Sequence, residues 1–140
     1  MNKNGDIILI EDDEDDRFLL EQAFESLGYP NKRRYFLNGL EALEYLYSTE
    51  DLPFLILSDI NMPVLNGFEL RKKLQNDAEL NLKCIPYLFF STAMNQKMVI
   101  DAYSTSAQGF FVKENSFEKI VDTLKVIIDY WKKCAAPNNF

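Results

Sequence analysis

Histidine is absent from this chain of 140 residues. Imidazole metal ligands, Ser-His catalysis and a phosphohistidine on the chain itself are thereby excluded. Cysteine is scarce: Cys84 and Cys134 lack metal-ligand spacing, and two thiols build no disulfide framework. They read as reduced thiols of a cytoplasmic protein. Basic residues are in deficit, 15 Lys and Arg against 22 Asp and Glu. A net charge of −7 argues against nucleic acid or an anionic membrane as partner. No apolar run is long enough for a membrane span, and the opening MNKNG lacks the apolar stretch of a signal peptide. Repeats, low-complexity segments and a second-domain boundary are also missing.

What is present is an ordinary globular composition, 47% hydrophobic and 26% charged. One domain over residues 1–140 is expected, with a core over about residues 6–131 and a flexible tail at 132–140. Short β-rich runs lie at Ile7–Ile10, Arg33–Leu37, Phe54–Asp59, Tyr87–Ser91 and Gly109–Val112. Between them run helical patterns. Leu20, Ala23, Phe24 and Leu27 fall at i, i+3, i+4, i+7, closed by Gly28; Leu40, Leu43, Leu46 and Tyr47 repeat the spacing. A third helix follows Asn66-Gly67, and a fourth runs from about Asn95 to Thr105. The fifth carries Phe117, Ile120, Val121, Leu124, Ile127, Ile128 and Trp131 on one face, with Asn115 or Ser116 as cap. Asn76 to Cys84 reads as a polar loop. Strands alternating with helices predict an α/β fold whose parallel sheet is covered on both faces. Runs such as IILI and FLIL, apolar without alternation, suit burial on both sides.

In such sheets ligands bind beyond the carboxyl ends of the strands, so the polar residues at those ends matter most. The first strand runs into EDDEDD, Glu11 to Asp16; the third ends at Asp59, the fourth at Ser91-Thr92, and the fifth meets Lys113. If the first and third strands are neighbours, about 4.8 Å apart, Glu11, Asp12 and Asp59 share a crevice with Ser91 and Lys113 on its far wall. Each has a plainer role available: Asp13 or Glu14 as a helix cap in a solvated acid run, Asp59 as a cap, Ser91 and Lys113 as ordinary surface groups. The combination asks for more. Carboxylates about 4 Å apart at an effective dielectric of about 20 repel by ~4 kcal/mol per pair. A hard, oxygen-ligated cation such as Mg²⁺ relieves that repulsion.

ILIEDDEDDRFLL, SDINMPVLNGFEL, FFSTA and GFFVK, in that order and at strand ends, resemble the receiver domains of two-component response regulators over about residues 6–130. The resemblance implies a flavodoxin-like (βα)5 fold of three layers, with five parallel strands in the order 2-1-3-4-5. That order is carried over from the family. It implies that Asp59 is the phosphoacceptor, and that Ser91 and Lys113 bind phosphoryl oxygens. It puts Glu11, Asp12, Asp59 and the main-chain carbonyl of Asn61 around Mg²⁺, and Ser91 and Phe110 in the switch. The implied partners are a sensor histidine kinase or phosphotransfer protein, and a downstream protein or second copy meeting the fourth helix, fifth strand and fifth helix. The implied role is a stand-alone phosphoacceptor that assists its own phosphorylation and dephosphorylation and has no other catalysis. FFSTA and the loop before it are similar to receivers that pair with bacterial phytochromes. Two positions depart from the family. Glu114 stands where proline is usual, so Lys113-Glu114 is expected trans, because cis before a non-proline costs about 2.5–4 kcal/mol. Phe110 lacks the hydroxyl of the commoner tyrosine. A flavin-phosphate binder on the same fold would need a Ser/Thr/Gly-rich loop where the acid run stands. An aspartyl phosphatase would need a second acid where Asn61 stands. A receiver-like scaffold that is never phosphorylated is the third alternative.

Overall fold

The computed structural model describes residues 1–92 and 95–137. Ala93, at the end of FFSTA, and the last three residues of the expected tail lie outside them. Five strands, β1 (Ile7–Ile10), β2 (Arg33–Phe36), β3 (Leu55–Ser58), β4 (Tyr87–Ser91) and β5 (Gly109–Val112), form one parallel sheet in the order β2-β1-β3-β4-β5. Among the described residues six helices join and follow them: α1 (Glu14–Leu27), α2 (Gly39–Ser48), α3 (Gly67–Asn76), α4 (Ala78–Leu82), α5 (Gln96–Ser104) and α6 (Phe117–Lys133). The fold is the expected flavodoxin-like one.

Strand periodicity divides the core into two. Ile7, Leu9, Leu55, Leu57, Leu88 and Phe90 face α1 and α6, meeting Leu20, Ala23, Phe24, Ile120, Leu124, Ile127 and Ile128. Ile8, Ile10, Ile56, Tyr87 and Phe89 face the other way, against Ala42, Leu43 and Leu46 of α2, Leu70 and Leu74 of α3, Leu80 of α4 and Ala102 of α5. The central strands β1, β3 and β4 are buried along their whole length, as unalternating apolar runs require.

The polar loop expected from Asn76 to Cys84 instead contains α4. Asp77 caps it through a bond from the Leu80 N–H at 2.9 Å, and Leu80 anchors it to the core. In α2 the buried face is Gly39, Ala42, Leu43 and Leu46, which leaves Leu40 and Tyr47 exposed. The apolar stripe is therefore rotated from the expected one. Ser116 is the N-cap residue of α6 but makes no side-chain capping bond. The chain also stays packed beyond Trp131: α6 continues to Lys133, and Ala136 is buried in the α1–α6 core.

Two of the glycines govern how helices end and begin. Gly28 ends α1 in the left-handed region at φ 74°. At Gly67, the first residue of α3, a Cβ would come within 2.4 Å of the Asp59 carbonyl oxygen and 3.0 Å of the Phe89 ring. Only glycine lets α3 begin so close beneath the end of β3.

Candidate phosphoacceptor site

Pairing of β1 with β3 sets Ile10 opposite Ser58, so the residues that follow, Glu11 and Asp59, leave the sheet side by side. The Asp59 N–H donates to the Ile10 carbonyl at 3.0 Å, which fixes the backbone at the departure point. The Ser58 hydroxyl, fully buried, donates to the Asp59 carbonyl at 2.8 Å. The Ile60 N–H donates to Asp59 Oδ1 at 2.7 Å, which orients the carboxylate and leaves Oδ2 facing Lys113. One carboxylate oxygen each from Glu11, Asp12 and Asp59 lies within 4.8 Å of the others. Glu11 is buried, Asp59 half-buried and Asp12 exposed, so the crevice opens on the Asp12 side. The chemistry of this donor set, three carboxylates and no nitrogen or sulfur, fits a hard divalent cation.

Lys113 enters from the end of β5. Its N–H donates to the Ser91 carbonyl at 2.9 Å, extending the β4–β5 pairing by one step. Its side chain is buried, and its ammonium donates to Glu11 Oε2. The same nitrogen lies 3.3 Å from Asp16 Oδ2 and 3.8 Å from Asp59 Oδ2. Burial penalises the charged lysine, but the bond to Glu11 and the charges of Glu11, Asp59 and Asp16 outweigh it. The ammonium is held above the usual lysine range. Burial likewise pushes the Glu11 carboxyl up to about 7, against the pull of Lys113. Three carboxylates thus share one cation, an arrangement short of positive charge.

Ser91 ends β4 almost wholly buried, and its Oγ has no hydrogen-bond partner among the described residues. A buried hydroxyl left unsatisfied is uncommon and marks a place where an acceptor is missing. Phe110 is half-buried, its ring centroid 6.1 Å from that of Phe89, on the α2–α5 side of the sheet. Phe111 points to the opposite core. Asn61 is exposed in the turn after Asp59. No peptide bond among the described residues is cis, so Lys113-Glu114 is trans as expected.

The structure adds Asp16, which the sequence placed within a solvated acid run. Asp13 is the N-cap of α1 and accepts the Asp16 N–H at 2.9 Å, so Asp16 sits in the first turn with its carboxylate turned to Lys113. The signal available was the cap: Asp13 as N-cap places Asp16 at the third position of the first helical turn. A separate cleft of about 520 Å³, lined by Leu46, Arg71, Leu80, Gln108 and Trp131 among others, shares no residue with this site.

Comparison with known proteins agrees with this geometry. The model of the response regulator receiver domain matches residues 7–125. The probable methanogenesis regulatory protein FilR2 of Methanothrix harundinacea is 30% identical over 129 residues, covering 89% of this chain and 82% of its own. Chemotaxis protein CheY-3 of Vibrio cholerae is 28% identical, over 92% of this chain and 95% of its own. Among solved structures, the phosphorylated cyanobacterial phytochrome response regulator RcpA superposes with a TM-score of 0.84 at 27% identity, covering 94% of this chain and 97% of that one. The chain belongs to the response regulator receiver domains.

Proposed function

We propose that this receiver takes a phosphoryl group onto Asp59 from a phosphohistidine of a sensor kinase or phosphotransfer protein, in a Mg²⁺-dependent reaction. The observation that carries the reading is the Asp59 carboxylate, gathered with Glu11 and Asp12 within 4.8 Å and also 3.8 Å from a buried lysine. A carboxylate oxygen of Asp59 forms the new bond to phosphorus as the phosphorus–nitrogen bond of the donor breaks. The departing imidazole keeps the electron pair of that bond and takes up a proton. Lys113 and Ser91 receive the phosphoryl oxygens: the first supplies charge, the second a buried hydroxyl with no other partner among the described residues. Glu11, Asp12, Asp59 and the main-chain carbonyl of Asn61 would hold Mg²⁺, whose contribution is to neutralise the carboxylates and the transferring oxygens. A divalent ion is consistent with the similar Rcp1 of Synechocystis, one of whose structures is a Mn²⁺-bound form.

Output follows from Ser91. Drawn to the phosphoryl oxygens, it vacates space into which Phe110 turns further, and α5, β5 and α6 present an altered surface to a downstream protein or a second copy. Tyr103 and Ile100 of α5 are already exposed there. The protein acts in the cytoplasm, beside the kinase domain that supplies it. The test is incubation with acetyl phosphate and Mg²⁺ followed by intact-mass measurement. Wild type gains the mass of one phosphoryl group, labile at high pH as an acyl phosphate is, and Asp59→Asn gains none. Equal labelling of Asp59→Asn would refute the assignment.

A further inference from the structure

Two overlapping sets of carboxylates meet in this crevice. Glu11, Asp16 and Asp59 contact the Lys113 ammonium. Glu11, Asp12 and Asp59 converge where a cation fits. Two residues belong to both sets, and among the described residues Asp16 is the one carboxylate contact of the lysine outside the metal set. We infer that Asp16 is a positioning residue: it holds the Lys113 ammonium while Glu11 and Asp59 are engaged by a divalent cation. The inference rests on the phosphoacceptor reading above and adds how the site accommodates metal and lysine together.

The physical need is set by burial. Both oxygens of Glu11 are occupied: Oε1 accepts the Asp13 N–H at 3.1 Å, and Oε2 accepts Lys113. A cation drawing on the same carboxylate competes with Lys113 for its charge. Lys113 is only 5% exposed, so its charge cannot fall back on water when Glu11 lets go. Asp16 is the remaining counter-ion. It is partly exposed, with 34% of its side-chain surface accessible, so it waits there with its charge already solvated. Its place is fixed by the capped first turn of α1, where the helix dipole favours a negative group. Without Asp16, the lysine must stay on Glu11 and contest it with the cation.

The experiment is a Mg²⁺ titration of the apoprotein at constant ionic strength, followed by ¹⁵N–¹H NMR, whose spectrum also reports that each variant is folded. Asp16→Asn is expected to weaken Mg²⁺ affinity about three- to fivefold, the scale of a partly exposed ion pair. Asp16→Glu is expected to keep most of the affinity. The decisive comparison is Asp16→Asn in a Lys113→Gln background. A carboxylate that acts through the lysine has nothing to act on there, so the second substitution adds no further loss. Wild-type affinity in Asp16→Asn overturns the inference. So does an equal loss with and without Lys113, which would make Asp16 a mere contributor to the local field. Absence of any Mg²⁺ response in wild type at Glu11, Asp12 and Asp59 would overturn the metal reading itself, and this inference with it.

Discussion

Val64 sits at φ 70° in the turn that follows Asp59, a conformation that crowds its Cβ against the following carbonyl. The Leu65 N–H reaches back to the Pro63 carbonyl at 2.8 Å, closing a tight three-residue turn around it. A β-branched residue is poorly suited there, and Val64 is 73% exposed, so little burial compensates. Asparagine tolerates the left-handed region without the chain entropy that glycine adds to the unfolded state. Val64→Asn is therefore expected to stabilise the fold by about 0.5–1 kcal/mol. Urea unfolding of the two proteins checks it, and an unchanged or lower midpoint would show that the turn gains something from valine.

At the scale of elements, the bond between α1 and the edge strand β2 is electrostatic as well as apolar. Arg33 of β2 donates to Glu21 of α1 from Nε at 3.0 Å and Nη2 at 2.6 Å, and the Tyr35 hydroxyl donates to the same carboxylate at 2.9 Å. The bonds from Arg33, with a smaller contribution from Tyr35, hold Glu21 below the usual carboxylate range although burial opposes them. A carboxyl whose pKa is depressed in the folded state contributes stability above its unfolded pKa, about 4.3, and loses it as pH falls through the folded value. Glu21→Gln should thus be less stable than wild type near neutrality, and the gap should close below about pH 4. Thermal melts across that range measure it. A gap independent of pH would assign the loss to packing.

The elements themselves were unevenly legible in the sequence. β1 and β4 have the limits their apolar runs suggest, since burial on both faces leaves a continuous signal, and the edge strand β5, though only partly buried, keeps its expected limits too. α4 was hidden because five residues with one buried leucine carry no periodicity, though Asp77 three before Leu80 was a capping sign. The α2 stripe was misplaced because small residues, Gly39 and Ala42, face the core there, and a pattern built on large side chains passes over them. At the site, Glu11, Asp12, Asp59 and Lys113 come together as strand-end logic required. Asp16 was lost among six consecutive acids, where only the start of the helix separates one from another.

Across the whole molecule, signal must pass from the crevice to a surface where partners bind. Ser91 and Phe110 are the pair on which that passage is proposed to depend. Ser91→Ala removes a hydroxyl that has no partner among the described residues and leaves Asp59, Lys113 and the acid cluster in place. It is expected to accept a phosphoryl group still, but to bind its partner or itself with little phosphate dependence. The wild-type difference should be modest, about 1–3 kcal/mol of coupling, since a ligand shifts an equilibrium only by its differential affinity. Affinity with and without a phosphoryl mimic, in both proteins, decides it. A full wild-type response in Ser91→Ala would route output elsewhere.

The sheet that carries these residues is also a partition. Side chains of adjacent residues such as Phe110 and Phe111 enter different cores, one on each face of the sheet. The sheet stands between the two faces, so destabilising changes deep in opposite cores should sum as nearly independent losses. The helices α1 and α6 can then drift in sequence to suit one neighbour while α2 to α5 drift to suit another. One chain is in this respect two surfaces, each free to change without renegotiating with the other.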